Sequence, residues 1–160
     1  MWGGASQPII DDMLMTGSAP IDAERAFSRA VRARRRAALL RRLRGQAAVD
    51  ARLAIYDERA SAAPAGLQSG IRAIPLDAIS GTLEPSRASL FDRRFLPAAG
   101  ARSRWERVWI AEQRGAVLPP IAVVRSGDGY LVRDGHHRVS VARARGACTI
   151  DALVGAAQAA

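Results

Sequence analysis

The strongest constraint on the fold lies between residues 121 and 154. Two apolar segments, 121–125 and 130–133, flank Gly127-Asp128-Gly129 and read as a hairpin, with glycine supplying the positive φ of the turn. Asp134-Gly135 then turns the chain into a helix, 136–145, which Gly146 closes as the first residue beyond it. Residues 149–154 read as a last strand. A strand that turns directly into a helix and returns as a strand restricts the chain to mixed layouts of helix and sheet.

The same junction can do chemistry. The first turn of a helix has free N–H groups and a partial positive charge, and it attracts phosphate. Gly135 lets backbone approach a ligand with no Cβ in the way. Arg138 falls in that first turn and can bond phosphate oxygens in bidentate fashion. His136 and His137 add donors, and Asp134 can accept from a ribose hydroxyl or help hold a metal ion. An ordinary strand-to-helix turn, with Asp134 as cap and Arg138 on the surface, uses the same spacing. The residues alone leave both readings open.

Upstream, residues 71–76 alternate apolar and polar positions and predict a short strand. Asp77 follows, and Glu84 and Pro85 fall in an expected loop. Residues 102–114 predict a helix with Trp105, Val108 and Trp109 on one face, ended by Gly115. The i,i+4 tryptophans fit core packing better than base stacking. Pro119-Pro120 stops further helix.

The N-terminal part differs. Residues 1–20 have no hydrophobic period and read as a loose tail. A helix is expected over 22–44, with nine arginines against Asp22 and Glu24. Phe27, Ala30, Val31 and Ala38 share one side of it, and Leu39, Leu40 and Leu43 project from nearly the opposite side. The helix therefore breaks near Arg36 or meets two partners. A second helical stretch is expected over 47–60, and 61–70 reads as a linker. The division is then an arginine-rich extension, 1–66, and an α+β domain, 71–155.

Composition excludes several functions. The chain has no lysine and no asparagine; all 24 basic residues are arginine. Schiff-base and P-loop lysine chemistry are ruled out. A GC-rich coding bias explains the arginines, so their abundance alone signals little. A net charge of +9 favours an acidic partner, nucleotide or nucleic acid. Arg32, Arg34, Arg35, Arg36, Arg41 and Arg42 are the candidates for DNA contact, against the alternative of a solvated helix. A single cysteine, Cys148, excludes an internal disulfide or a multi-cysteine metal site, and it reads as a small buried apolar residue. Adjacent histidines on a helix point apart, so no metal site is expected. No signal peptide is recognised, and no apolar run approaches the roughly 18 residues needed to cross a bilayer. A cytoplasmic protein that does not enter membranes is expected, and a homo-oligomer is compatible with all of this.

The stretch PPIAVVRSGDGYLVRDGHHRVSVARARGACTIDALV, residues 119–154, resembles the core of the ParB/sulfiredoxin superfamily. Ile74-Pro75-Leu76-Asp77-Ala78-Ile79 resembles that family's opening strand segment. Phe91-Asp92-Arg93-Arg94-Phe95-Leu96-Pro97 and Trp105-Glu106-Arg107 are similar to actinobacterial proteins labelled ParB-like. The resemblance implies a ParB/sulfiredoxin-like α+β fold, a small mixed sheet with packed helices. It also implies a nucleoside triphosphate, ATP or CTP, bound with Mg²⁺ at Asp134, Gly135, His136, His137 and Arg138. The family's members differ in activity. Sulfiredoxins place a catalytic cysteine where this chain has His136, so their chemistry is not expected here. Chromosome-partition ParB proteins carry an asparagine-containing second phosphate motif that this chain lacks. The family's free serine kinases have a turn similar to Asp134-Gly135-His136-His137-Arg138 and use an acid near the opening strand, which would be Asp77 or Glu84. The leading expectation is a nucleotide-binding protein that is regulatory or DNA-associated. The alternatives are an ATP- or ADP-dependent kinase of a small hydroxyl compound and a nucleic-acid-binding module without nucleotide chemistry. No carboxylate cluster suits a two-metal nuclease.

Overall fold

Buried branched residues build the centre of the sheet. Strands β4 (Ile121–Ser126) and β5 (Gly129–Asp134) bury Ile121, Val123, Val124, Leu131 and Val132. They pair antiparallel as the expected hairpin, with Ser126 opposite Gly129. The computed structural model describes residues 16–45, 52–57 and 70–155. Strand β6 (Thr149–Gly155) runs parallel to β4, and β2 (Gly70–Pro75) pairs antiparallel with β6 at one edge. On the other side β3 (Ile79–Thr82) lies parallel to β5, and β1 (Ala54–Ile55) parallel to β3. The order is β1-β3-β5-β4-β6-β2, a six-stranded mixed sheet.

Among the described residues four α-helices accompany it: α1 (Ala19–Leu43), α2 (Pro85–Ala88), α3 (Arg102–Gln113) and α4 (His136–Ala144). Helix α4 packs on β4 and β6, α3 packs on α4, and α1 packs on α3. The expected α+β class is what the chain adopts. Trp105, as large as any side chain in the described core, is fully buried. Its indole N–H donates to Ser140 Oγ at 2.9 Å, so its one polar atom is satisfied inside the core. Trp109 stacks on it at 5.3 Å, and Phe27 meets it edge-on at 5.5 Å. The tryptophan pair is core, as its spacing predicts.

Four expectations need correction. Residues 52–57 do not continue a helix. Leu53 is buried, and Ala54 and Ile55 pair with Gly81 and Thr82. A Cβ on Gly81 would come within 2.6 Å of Ala54 O and of the Tyr56 ring. The glycine thus admits a close strand, and this pairing overrides local helix propensity. The second correction is the expected loop after Asp77. It contains β3 and α2, and Glu84 is the cap residue before α2 rather than a member of an irregular loop. Third, α1 is continuous past Arg36. It buries Ala23, Ala26, Phe27 and Ala30, while Leu39, Leu40 and Leu43 are exposed. Fourth, Cys148 is exposed. It follows the end of α4, in the connection to β6, where its carbonyl accepts from Leu76 N but no element covers the thiol. Of the tail expected over 1–20, Ala19 and Pro20 instead belong to α1, and Gly70 of the linker expected over 61–70 opens β2; residues 1–15, 47–51, 58–60 and 61–69 lie outside the described residues. Among the described residues no helix is long and apolar enough to cross a membrane.

Candidate functional site

The site is built where β5 turns into α4. Gly135 has φ +102°, a left-handed conformation that a side chain strongly disfavours. A Cβ there would also lie 2.4 Å from Ile121 Cγ2. Conformation and packing both demand glycine. The first backbone bond into the helix runs from Val139 N to Gly135 O at 3.0 Å, and no side chain caps α4. The amides of His136, His137 and Arg138 therefore precede the helical ladder and have no acceptor among the described residues. No acidic side chain occupies this first turn.

Both imidazoles point inward rather than into solvent. His136 is 3% exposed and His137 6%. Phe91 stacks on His136 at 6.3 Å and meets His137 edge-on at 5.1 Å. His136 Nε2 lies 2.6 Å from Thr82 Oγ1. Burial pushes both histidines down to about 4, with further lowering from Arg87 at His136 and from Arg104, Arg87 and Arg107 at His137. Both rings are neutral near pH 7. They shape the turn and carry no positive charge to it.

Phe91 is placed by a tight loop. Asp92 is buried, and its Oδ1 accepts from the amides of Arg94 and Leu96, each at 2.9 Å. Phe95 closes the loop at φ +59°, unusual for an aromatic residue. Its ring lies 6.2 Å from Phe91 and 6.4 Å from His136.

Arg138 is held by the protein itself. Its Nη1 donates to the carbonyls of Pro119 and Pro120, and its Nη2 pairs with Asp134 at 2.8 Å. It ties the start of β4 to the turn. Asp134 is exposed and spends one oxygen on this pair. The cavity in front of the turn has a volume of about 200 Å³. Asp134, Gly135, His136, His137 and Arg138 all line it, together with Arg87 and Arg104. The five residues singled out in the sequence are thus brought together. Arg87 and Arg104 were not foreseen, because they come from α2 and α3, far along the chain. Thr82 was missed for the same reason.

Other candidates lie elsewhere. Asp77 lines a different cavity, beside Arg143, and Glu84 is exposed with its amide bonded to Thr82 Oγ1 at 2.8 Å. The two acids do not share a site. Of the six α1 arginines considered for DNA contact, Arg34 donates to the carbonyls of Leu90 and Leu96 and Arg41 is buried, whereas Arg32, Arg35, Arg36 and Arg42 are exposed. Among the described residues no three His, Cys, Asp or Glu side chains cluster to hold a metal ion.

No family model matches this chain, and no curated protein matches it. Among solved structures it is similar to the crystal structure of sulfiredoxin from Arabidopsis thaliana, with a TM-score of 0.41 and 17% identity over 54% of this chain and 85% of that one.

Proposed function

We propose that the turn at Gly135 binds the phosphates of a nucleotide, and that the protein is a nucleotide-binding protein that acts in regulation or in association with DNA. The observation that carries this reading is the join of two features: three backbone amides without acceptors, and a cavity flanked by Arg87 and Arg104. Amides at a helix start and guanidinium groups attract the same ligand, an anion rich in oxygen. A volume of about 200 Å³ takes phosphoryl groups, and the nucleoside lies beyond it. Asp134 is the one carboxylate among the described lining residues, and it is already paired. Mg²⁺ would therefore arrive on the phosphates and keep most of its water, its usual habit. His136 and His137 act by exclusion, keeping the turn neutral and dry behind the amides.

The chain's own residues bind and orient; neither of the two acids expected as a general base lies in the described lining. Glu84 is exposed outside the lining, and Asp77 lines another cavity. Binding without transfer to a small hydroxyl compound is the expected behaviour. The DNA association rests on Arg32, Arg35, Arg36 and Arg42, exposed along one helix. If they contact phosphates, affinity for random duplex will fall steeply as salt rises, through counterion release. The decisive experiment is calorimetric titration of the full chain with ATP, ADP, CTP and GTP, each with Mg²⁺. Saturable binding of at least one supports the reading, and heat indistinguishable from dilution for all four sinks it.

A further inference from the structure

A second cavity, of about 320 Å³, opens beside the other end of α4 and is lined by Asp77, Arg94 and Arg143 around apolar Leu76 and Phe95. We propose that it binds an apolar α-amino acid as its zwitterion, with the carboxylate on Arg94 and Arg143, the ammonium group on Asp77, and the side chain against Leu76 and Phe95.

Three observations support this. First, Arg143 is fixed in advance. Its Nη2 donates to Leu76 O at 2.6 Å, and its guanidinium lies 5.6 Å from the centre of the Phe95 ring. That one bond uses a single donor of the five a guanidinium offers. Burial of Arg143 lowers the stability of its charge, and Asp77 partly restores it. Second, Asp77 and Arg94 are exposed, and neither side chain has an ion pair or hydrogen bond among the described residues. Two cations and one anion thus face one small space, Asp77 coupled to Arg143 through their charges but hydrogen-bonded to neither arginine. A ligand with one charge of each sign matches that pattern, and a simple anion would leave Asp77 opposed. Third, the base of the cavity is apolar, with Leu76 and Phe95 buried beneath it and Leu96 half-buried beside them. Leu76 is 2% exposed and Phe95 1%. Phe95 holds φ +59°, a strained state of the kind found at ligand sites. The cavity volume suits an amino acid with a branched aliphatic side chain.

This inference is independent of the phosphate site. Cys148 lines the same cavity and carries an exposed free thiol, which makes it a reporter. The full chain would be titrated with L-leucine, with 4-methylpentanoate, which lacks the ammonium group, and with 3-methylbutylamine, which lacks the carboxylate. Two readouts apply: ¹H–¹⁵N shifts of the Ala147 and Cys148 amides, and the rate of Cys148 alkylation by iodoacetamide. L-leucine should shift those amides saturably and slow alkylation severalfold. Each single-charge analogue should bind about tenfold or more weakly, the scale of one charge-assisted bond. Arg94→Ala should lower L-leucine affinity by a similar factor. Asp77→Asn should make L-leucine bind no better than 4-methylpentanoate. Arg94 and Asp77 are exposed, so both variants keep the core intact. The proposal falls if L-leucine causes no saturable shift up to about 10 mM, a range that covers even weak ligands. It also falls if 4-methylpentanoate binds as well as L-leucine, or if Arg94→Ala binds L-leucine unchanged.

Discussion

Thr82 Oγ1 lies 2.6 Å from His136 Nε2 and joins strand β3 to the first residue of helix α4. The same hydroxyl accepts from Glu84 N at 2.8 Å and reaches Val132 O at 3.1 Å. A carbonyl can only accept. All three contacts are satisfied when Thr82 donates to Val132 O and His136 donates from Nε2, which fills the hydroxyl's capacity. The arrangement fixes the Nε2–H tautomer of a neutral ring. One threonine thereby positions the helix start, the capping residue of α2 and the β3–β5 seam together.

Thr82→Val should therefore destabilise the protein by about 1–3 kcal/mol, the range for stranding buried donors. Urea denaturation measures the loss. Thr82→Ser keeps the hydroxyl and should recover most of it. Imidazole ¹⁵N shifts should report the Nε2–H tautomer in the natural chain. An Nδ1–H tautomer would break the bonding scheme.

The two buried histidines make stability depend on pH. Each has its folded pKa depressed to about 4, against 6.5 in the unfolded chain. Between those values the unfolded chain binds more protons, so stability is complete above about pH 6.5 and falls as pH drops toward 4. A depression of that size corresponds to about 3 kcal/mol for one group, and adjacent groups do not add in full. His136→Gln or His137→Gln should flatten the decline over this window. A denaturation midpoint constant from pH 7 to 4.5 would contradict the burial of both rings.

Gly135→Ala should cost about 2–4 kcal/mol, because a positive φ and a steric clash act together. The clash is with Ile121, 2.4 Å from the added Cβ. Shortening that partner should relieve it only in part, because the Ile121 Cβ itself would lie 2.8 Å from the added atom. Gly135→Ala combined with Ile121→Ala should lose less than the sum of the two single changes, which a double-mutant cycle reads. Simple additivity would mean that contact with the Ile121 branch beyond Cβ adds nothing to the penalty.

Sequence periodicity made the hairpin, α3, α4 and β6 legible, because their signals are local: branched apolar runs, glycine turns and the tryptophan face. Asp134 to Arg138 could be read as a site for the same reason, since five neighbours in sequence also line one cavity. What stayed hidden depends on distant partners. Ala54 and Ile55 become a strand only because Gly81 admits them, and nothing near residue 54 announces that. Arg87 and Arg104 are ordinary surface arginines until α2 and α3 place them at the turn. Arg138 read as a free phosphate ligand, yet Pro119, Pro120 and Asp134 engage it. Proline carbonyls offer no pattern from which that bond could be inferred.

The engagement of Arg138 separates two roles that arginines have at this turn. Arg87 and Arg104 line the cavity with no side-chain hydrogen bond or ion pair among the described residues, so their charge is available to an anion. Arg87 is half-buried and Arg104 exposed. A screened charge contributes less. Arg87→Ala should therefore weaken binding of Mg-ATP, or of whichever nucleotide binds, by about 1.5–3 kcal/mol, the range for a charged hydrogen bond. Arg104→Ala should weaken it less, and its effect should shrink further at high salt. Neither change should lower stability by more than about 0.5 kcal/mol, as expected for surface positions. Arg138→Ala should behave differently. It removes bonds to two backbone carbonyls as well as a charge, so stability and affinity should fall together. Arg138→Lys restores the charge but cannot reach Pro119 O, Pro120 O and Asp134 with one planar fork. It should stay destabilised. Calorimetric titration and thermal unfolding on the four variants distinguish the roles. Undiminished affinity in both Arg87→Ala and Arg104→Ala, with the fold intact by circular dichroism, would remove the phosphate site from this turn. Loss of affinity in Arg138→Ala with unchanged stability would instead make Arg138 a direct ligand that leaves its backbone partners on binding.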